Sequence, residues 1–144
     1  MTPEELHDRY VAEIDRRGRN DKYIDGVEER ELMQIAIQHG FPVERARAFV
    51  VDVCREKGYV IEATLVQTIR EKLKSQARPD GTIDRGRFQE VVRQVLPDVA
   101  NTTRSHSDVL QLVVNTMDDS GIRRVKKWWH LDWYSRLKKQ IGLN

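Results

Sequence analysis

The chain has 144 residues, 39% hydrophobic and 33% charged, with a net charge of +2, enough for one core or one core with an appendage. Regularly spaced apolar residues exclude a disordered polymer, and the mean hydropathy of −0.66 goes with the lack of any apolar run near the roughly 20 residues that a spanning helix needs. The single cysteine, Cys54, excludes an internal disulfide or a thiolate metal cluster. The start, Met-Thr-Pro-Glu-Glu, lacks the apolar segment of a signal peptide, so a reducing, cytoplasmic setting is expected.

Helical spacing dominates, and no strand pattern competes with it. Thr2, Pro3, Glu4 and Glu5 make a helix start: an N-cap, a proline at the first position and carboxylates at the positive end of the dipole. Leu6, Tyr10 and Ile14 form the apolar stripe of that first helix, which ends at Gly18. A second helix is expected over about 26–39, facing inward with Leu32, Ile35 and Ala36 and stopping at Gly40. A third opens at Pro42 and carries Phe49, Val50, Val53 and Cys54 as far as Gly58. A fourth holds Leu65, Ile69 and Leu73.

Arg78-Pro79-Asp80-Gly81 reads as a turn, followed by a fifth helix with Phe88, Val91, Val92 and Val95 that stops at Leu96-Pro97. Residues 98–107 are polar and are expected to be a linker. A sixth helix is expected over Val109–Met117, and a seventh from about Arg123 to Ile141.

A shift of 59 residues superimposes Arg19, Asp21, Ile24 and Asp25 on Arg78, Asp80, Ile83 and Asp84. The apolar positions of the following helices also align, Leu32 on Val91 and Ala36 on Val95. The second copy resembles an EF-hand loop. With Gly81 at loop position 6, Asp80 falls at 5, Ile83 at 8 and Asp84 at 9. Positions 1, 3 and 12 are Gln76, Arg78 and Arg87, and in the first copy positions 1 and 3 are Arg17 and Arg19, while Lys22 replaces the glycine.

Calcium takes six to eight hard oxygen ligands; guanidinium groups in that shell oppose it, so no tight calcium binding is expected. The same signature is similar to the TerB-like all-α domains of tellurite-resistance proteins, where Asp21, Asp25, Glu28, Asp80 and Asp84 would be the matching acidic positions. Both resemblances imply a duplicated helix-loop-helix scaffold. Read without them, Asp25 and Glu28 form a capping box, Ile24 staples the first turn, and Asp84 caps its own helix. No metal site and no cofactor is expected.

Catalytic signals are absent. His7, His39, His106 and His130 are scattered, without a metal-binding helical pair. Ser105, His106, Ser107 and Asp108 hold triad residue types, but adjacent residues cannot provide triad geometry and are expected to cap the next helix. Cys54 lies on an apolar face as a small hydrophobe.

The charge is uneven: residues 1–121 carry 18 basic and 22 acidic groups, residues 122–144 seven basic and one acidic. All three tryptophans fall in that last stretch. Trp129, Trp133, Leu137 and Ile141, four apart, suggest a helix docked on the body or on a partner. Lysines interleaved with the aromatic residues speak against a membrane-surface helix, whose faces separate cleanly.

These residues give an all-α fold of paired EF-hand-like helix-loop-helix units over residues 1–97, a linker over 98–107, and two further helices over 108–144 packed on the first domain. The expected function is a non-enzymatic protein-binding or adaptor module. Its expected contact residues are Arg123, Arg124, Lys126, Lys127, Trp128, Trp129, Trp133 and Tyr134. The alternative is a nucleic-acid-binding accessory protein using the same tail, with basic groups on phosphate and rings on bases.

Overall fold

A computed structural model describes residues 2–124 and 133–143. Among these the fold is all-α, with seven α-helices and four two-residue strands. The helices are α1 (Pro3–Gly18), α2 (Gly26–Gln38), α3 (Val43–Lys57), α4 (Glu62–Gln76), α5 (Arg85–Val95), α6 (His106–Ser120) and α7 (Trp133–Gln140). The strands are β1 (Tyr23–Ile24), β2 (Val60–Ile61), β3 (Thr82–Ile83) and β4 (Arg123–Arg124). No helix is long and apolar enough to cross a membrane among the described residues.

Local chemistry sets most helix starts. The Thr2 hydroxyl accepts the Glu5 amide and the Glu5 carboxylate accepts the Thr2 amide, closing a capping box ahead of Pro3. Asp25 and Glu28 do the same for α2, Asp84 accepts the Arg87 amide to cap α5, and Ser105 with Asp108 boxes α6. Thus the Ser-His-Ser-Asp string serves as a helix start, as its spacing suggested. Gly58 (φ +73°) and Gly121 (φ +71°) terminate α3 and α6 in the left-handed region.

The chain divides into two compact units, residues 1–64 with 101–103, and residues 65–100 with 104–144. The boundary therefore falls just inside the start of α4 and not after residue 97. In the first unit, Leu6, Tyr10 and Ile14 of α1 meet Leu32, Met33 and Ala36 of α2 and Val50, Val53 and Cys54 of α3. Each fully buried aliphatic side chain contributes about 1.5–3 kcal/mol before entropy is charged against it. Strands β1 and β2 pair in parallel, Tyr23 with Val60 and Ile24 with Ile61. The second unit buries Leu65, Ile69 and Leu73 of α4 with Phe88, Val91 and Val95 of α5 and Val109, Val113 and Met117 of α6. There β3 pairs in parallel with β4, Thr82 with Arg123 and Ile83 with Arg124.

The strand partner of each loop thus comes from its own half, at a segment where the sequence shows no strand pattern. The repeat also reaches further than the two loops. From α1 to α5 equivalent elements lie 59 residues apart (Tyr23 and Thr82 open β1 and β3); from α3 and α6 onward they lie 63 apart (Val43 and His106, Tyr23's partner Val60 and Arg123). The four extra residues lie in the connection between α5 and α6.

That connection is not a free polar linker. Leu96–Val99 forms a 3₁₀ turn with Val99 buried, the Thr103 amide donates to the Asp21 carbonyl at 3.2 Å, and His106 already opens α6. The last helix is also shorter than its expected span of Arg123–Ile141. Gly121 ends α6, Ile122 turns inward and Arg123–Arg124 forms β4, so the expected helix start at Arg123 is a strand; α7 is described over Trp133–Gln140.

Candidate functional site

The loop acids, which the resemblances single out, are occupied by the protein itself. In the first copy Asp25 Oδ1 accepts the Glu28 amide at 2.9 Å, Glu28 Oε1 accepts the Asp25 amide at 3.1 Å, and Asp21 Oδ1 accepts the Tyr23 amide at 3.2 Å. Burial first, and then the neighbouring Asp25 and Asp21 charges, push the Glu28 carboxyl upward against the hydrogen bond that lowers it. Arg17, at the first loop position, is largely buried and pairs with Glu13 and with Glu31 Oε2 at 3.1 Å. Lys22 stands in the glycine position and keeps its left-handed backbone, φ +57° against +80° at Gly81.

In the second copy the Thr82 amide and hydroxyl both donate to Asp80 Oδ1, at 3.0 and 2.6 Å, and these bonds hold that carboxyl below its ordinary value. Arg78 reaches Asp84 Oδ2 at 3.5 Å, and Arg87 donates to the Gln76 carbonyl at 3.4 Å. Among the described residues no group of three or more His, Cys, Asp and Glu side chains converges as a metal site. Cys54 is buried, and burial pushes its thiol up to about 12, far from a reactive thiolate.

The tail residues separate into different roles. Lys126, Lys127, Trp128 and Trp129 lie outside the described residues. Arg123 is exposed but tied to the second loop: its amide donates to the Gly81 carbonyl at 3.0 Å and its guanidinium to the Asp80 carbonyl at 3.0 Å. Arg124 lies 5.7 Å above the Tyr134 ring. Tyr134, expected on the contact surface, is only 2% exposed. Its hydroxyl donates to the Val114 carbonyl at 3.0 Å and lies 2.8 Å from Asp118 Oδ1, while Lys138 caps its ring and reaches Asp118 Oδ2 at 2.7 Å. Its aromatic ring is the pin that holds α7 on α6, because a buried phenol needs both apolar contact and a hydrogen-bond partner.

Trp133 stands apart. It is half-buried, its ring centroid 5.2 Å from that of Phe88, and it forms one wall of a groove of about 830 Å³ in the second unit. α5 contributes Phe88 and Val92 to its lining, with the following Leu96. α6 adds Leu110, α7 adds Leu137 beside Trp133, and Ile141 follows directly after α7. Five of these apolar side chains, Leu96, Leu110, Trp133, Leu137 and Ile141, are only partly covered. The amide of Gln111 donates to the Ile141 carbonyl at 3.0 Å, so the far end of that wall is fixed to α6.

Arg85 and Arg93 line the α5 side of the groove, Arg136 the α7 side, and His106 the start of α6; no acidic residue lines it among the described residues. Arg93 shares its charge with Glu90 on the same helix. The arrangement provides apolar contact with a positive rim. No family model matches the sequence, and no significant match was found among curated proteins or solved structures.

Of the eight expected contact residues, Trp133 alone lines the groove among those described. The sequence did place Leu137 and Ile141 on its stripe. It passed over Arg85, Arg93, Leu110 and Arg136, and read His106 only as part of a helix start. The signal for two of them is present in α5, where Arg85, Gln89 and Arg93 recur every fourth residue beside Phe88, Val92 and Leu96.

Proposed function

We propose that the chain is a non-enzymatic protein-binding module that holds a segment of a partner polypeptide in the groove of its second unit. The supporting observation is the set of five partly exposed large apolar residues converging on one groove, since a folded chain seldom leaves such a patch without a use. Its volume falls in the range of ligand-binding clefts, roughly 300–1,000 Å³, and Trp and Arg, the residue types that anchor protein interfaces, form its wall and rim. The EF-hand-like and TerB-like likeness contributes the scaffold, with arginines in place of ligands. One buried cysteine agrees with a cytoplasmic setting.

The test is affinity capture from a native lysate with wild type, Leu137→Arg in the groove, and Ile37→Arg on the exposed surface of the first unit, each checked for folding by circular dichroism. Polypeptides held by wild type and Ile37→Arg are expected to be lost with Leu137→Arg and to survive nuclease and added salt. Retention of the same polypeptides by Leu137→Arg sinks the reading. Capture abolished by nuclease transfers the function to nucleic acid, whose binding weakens steeply with salt.

A further inference from the structure

Resting on that reading, we infer that the occupant of the groove is an acidic amphipathic helix. The shape comes first. From Arg85 to Leu96 the α5 wall is helical for about three turns, about 16 Å at 1.5 Å per residue. From α7 and the residue after it the lining presents Trp133, Leu137 and Ile141 at intervals of four, which is the repeat of a helix face. A lining drawn from three helices, α5, α6 and α7, leaves a seat that a further helix fills when apolar residues at i, i+4 and i+7 enter it. The open seat suits a segment lying along it and not a compact solute sealed inside.

Charge selects among such helices. Arg85 and Arg136 line the groove exposed from two different helices, α5 and α7, with Arg93 and His106 also in the lining and no carboxylate in it among the described residues. Glutamates flanking the apolar stripe of an incoming helix would meet guanidinium groups on both sides, and lysines there would be repelled. The neutral rims of a purely apolar seat would give no such preference.

The experiment uses the full chain and three fluorescein-labelled synthetic peptides of about four helical turns. The first carries Leu and Phe at i, i+4 and i+7 with Glu flanks, the second has Lys for every Glu, and the third scrambles the apolar positions. The Glu peptide is expected to bind saturably and to gain helical circular dichroism, with the Lys and scrambled peptides weaker by about ten-fold or more. The double variant Arg85→Glu/Arg136→Glu, at two exposed positions and checked for folding by circular dichroism, should reverse the preference between Glu and Lys peptides.

Equal affinity for the Glu and Lys peptides, or binding unaffected by the double variant, overturns the charge assignment. Failure of all three peptides, while Leu137→Arg still abolishes capture of polypeptides, overturns the helix and leaves the protein-binding reading standing. Unchanged capture by Leu137→Arg removes that reading itself, so the two failures are distinct.

Discussion

The two halves of the chain run through the same order of elements and differ in the surface those elements present. Strands β1 and β3 place Ile24 and Ile83 in equivalent buried positions, Asp25 and Asp84 cap equivalent helices, and Gly58 and Gly121 end equivalent helices with the same left-handed turn. On the outer side of α2 and α3 the agreement stops. Glu29 stands where the second half has Phe88, and Arg47 where it has Leu110. In the first unit these two face each other as an ion pair at 3.8 Å; in the second they line the groove. Backbone-setting positions are repeated because the same turns and caps must form twice, while the side chains that pack between those helices have acquired different chemistry, an ion pair in one half and apolar residues in the other. The groove of the proposed function lies among the positions that are not repeated.

The largest test of that equivalence is in the strands. Ile24→Ala and Ile83→Ala each remove a side chain that is 0% exposed, and each should cost about 2–5 kcal/mol in chemical denaturation. A loss below about 1 kcal/mol at either position would show that the two strands do not serve as equivalent core anchors.

A smaller effect is expected where the halves part inside the scaffold. A Cβ on Gly18 would lie 2.8 Å from Tyr59 Cδ2, whereas the equivalent residue of the second half is Ala77 and the equivalent of Tyr59 is Ile122. Gly18→Ala should therefore destabilise by about 1–3 kcal/mol through forced movement of the ring, despite the better helix propensity of alanine. Adding Tyr59→Ile, which copies the second half, should recover most of the loss in the same denaturation measurement. A double variant as unstable as the single one would place the clash elsewhere.

How much was legible follows from how local each interaction is. The caps at Thr2, Asp25, Asp84 and Ser105 were readable because donor and acceptor lie three residues apart. The apolar faces of α1 to α5 were readable for the same reason, as i, i+4 spacing. Arg123–Arg124 was not: its strand partner lies about forty positions earlier, and only the Gly81 carbonyl and the Gly121 turn make it extended. The burial of Tyr134 was hidden likewise, since its partners Val114 and Asp118 belong to another helix. The α5 side of the groove was visible as a stripe of arginine beside apolar residues, but its openness depends on where α6 and α7 stop covering it. The expected contacts at Lys126, Lys127, Trp128 and Trp129 lie outside the described residues and stay an expectation.

The finest distinction between the halves is in acid. The position of Asp118 in α6 is taken by Arg55 in α3, so only the second unit has the carboxylate clamp on α7. Burial favours a neutral Asp118, but hydrogen bonds from Lys138 and Tyr134 and the charges of Lys138 and Arg124 outweigh it and hold the carboxyl below the ordinary 3.8. A depressed folded value means that the clamp contributes fully above the unfolded value and loses its contribution as pH falls through the folded one. With Asp118 45% exposed, solvent screening keeps that contribution under about 1 kcal/mol. Thermal melts taken downward from near neutrality should show this small loss only below the ordinary carboxyl value, and Asp118→Asn should remove that part of the pH dependence while lowering stability above it. A pH profile that Asp118→Asn leaves untouched would mean that Tyr134 holds α7 through the Val114 carbonyl and its ring contacts alone, and that the groove wall keeps its place without the ion pair.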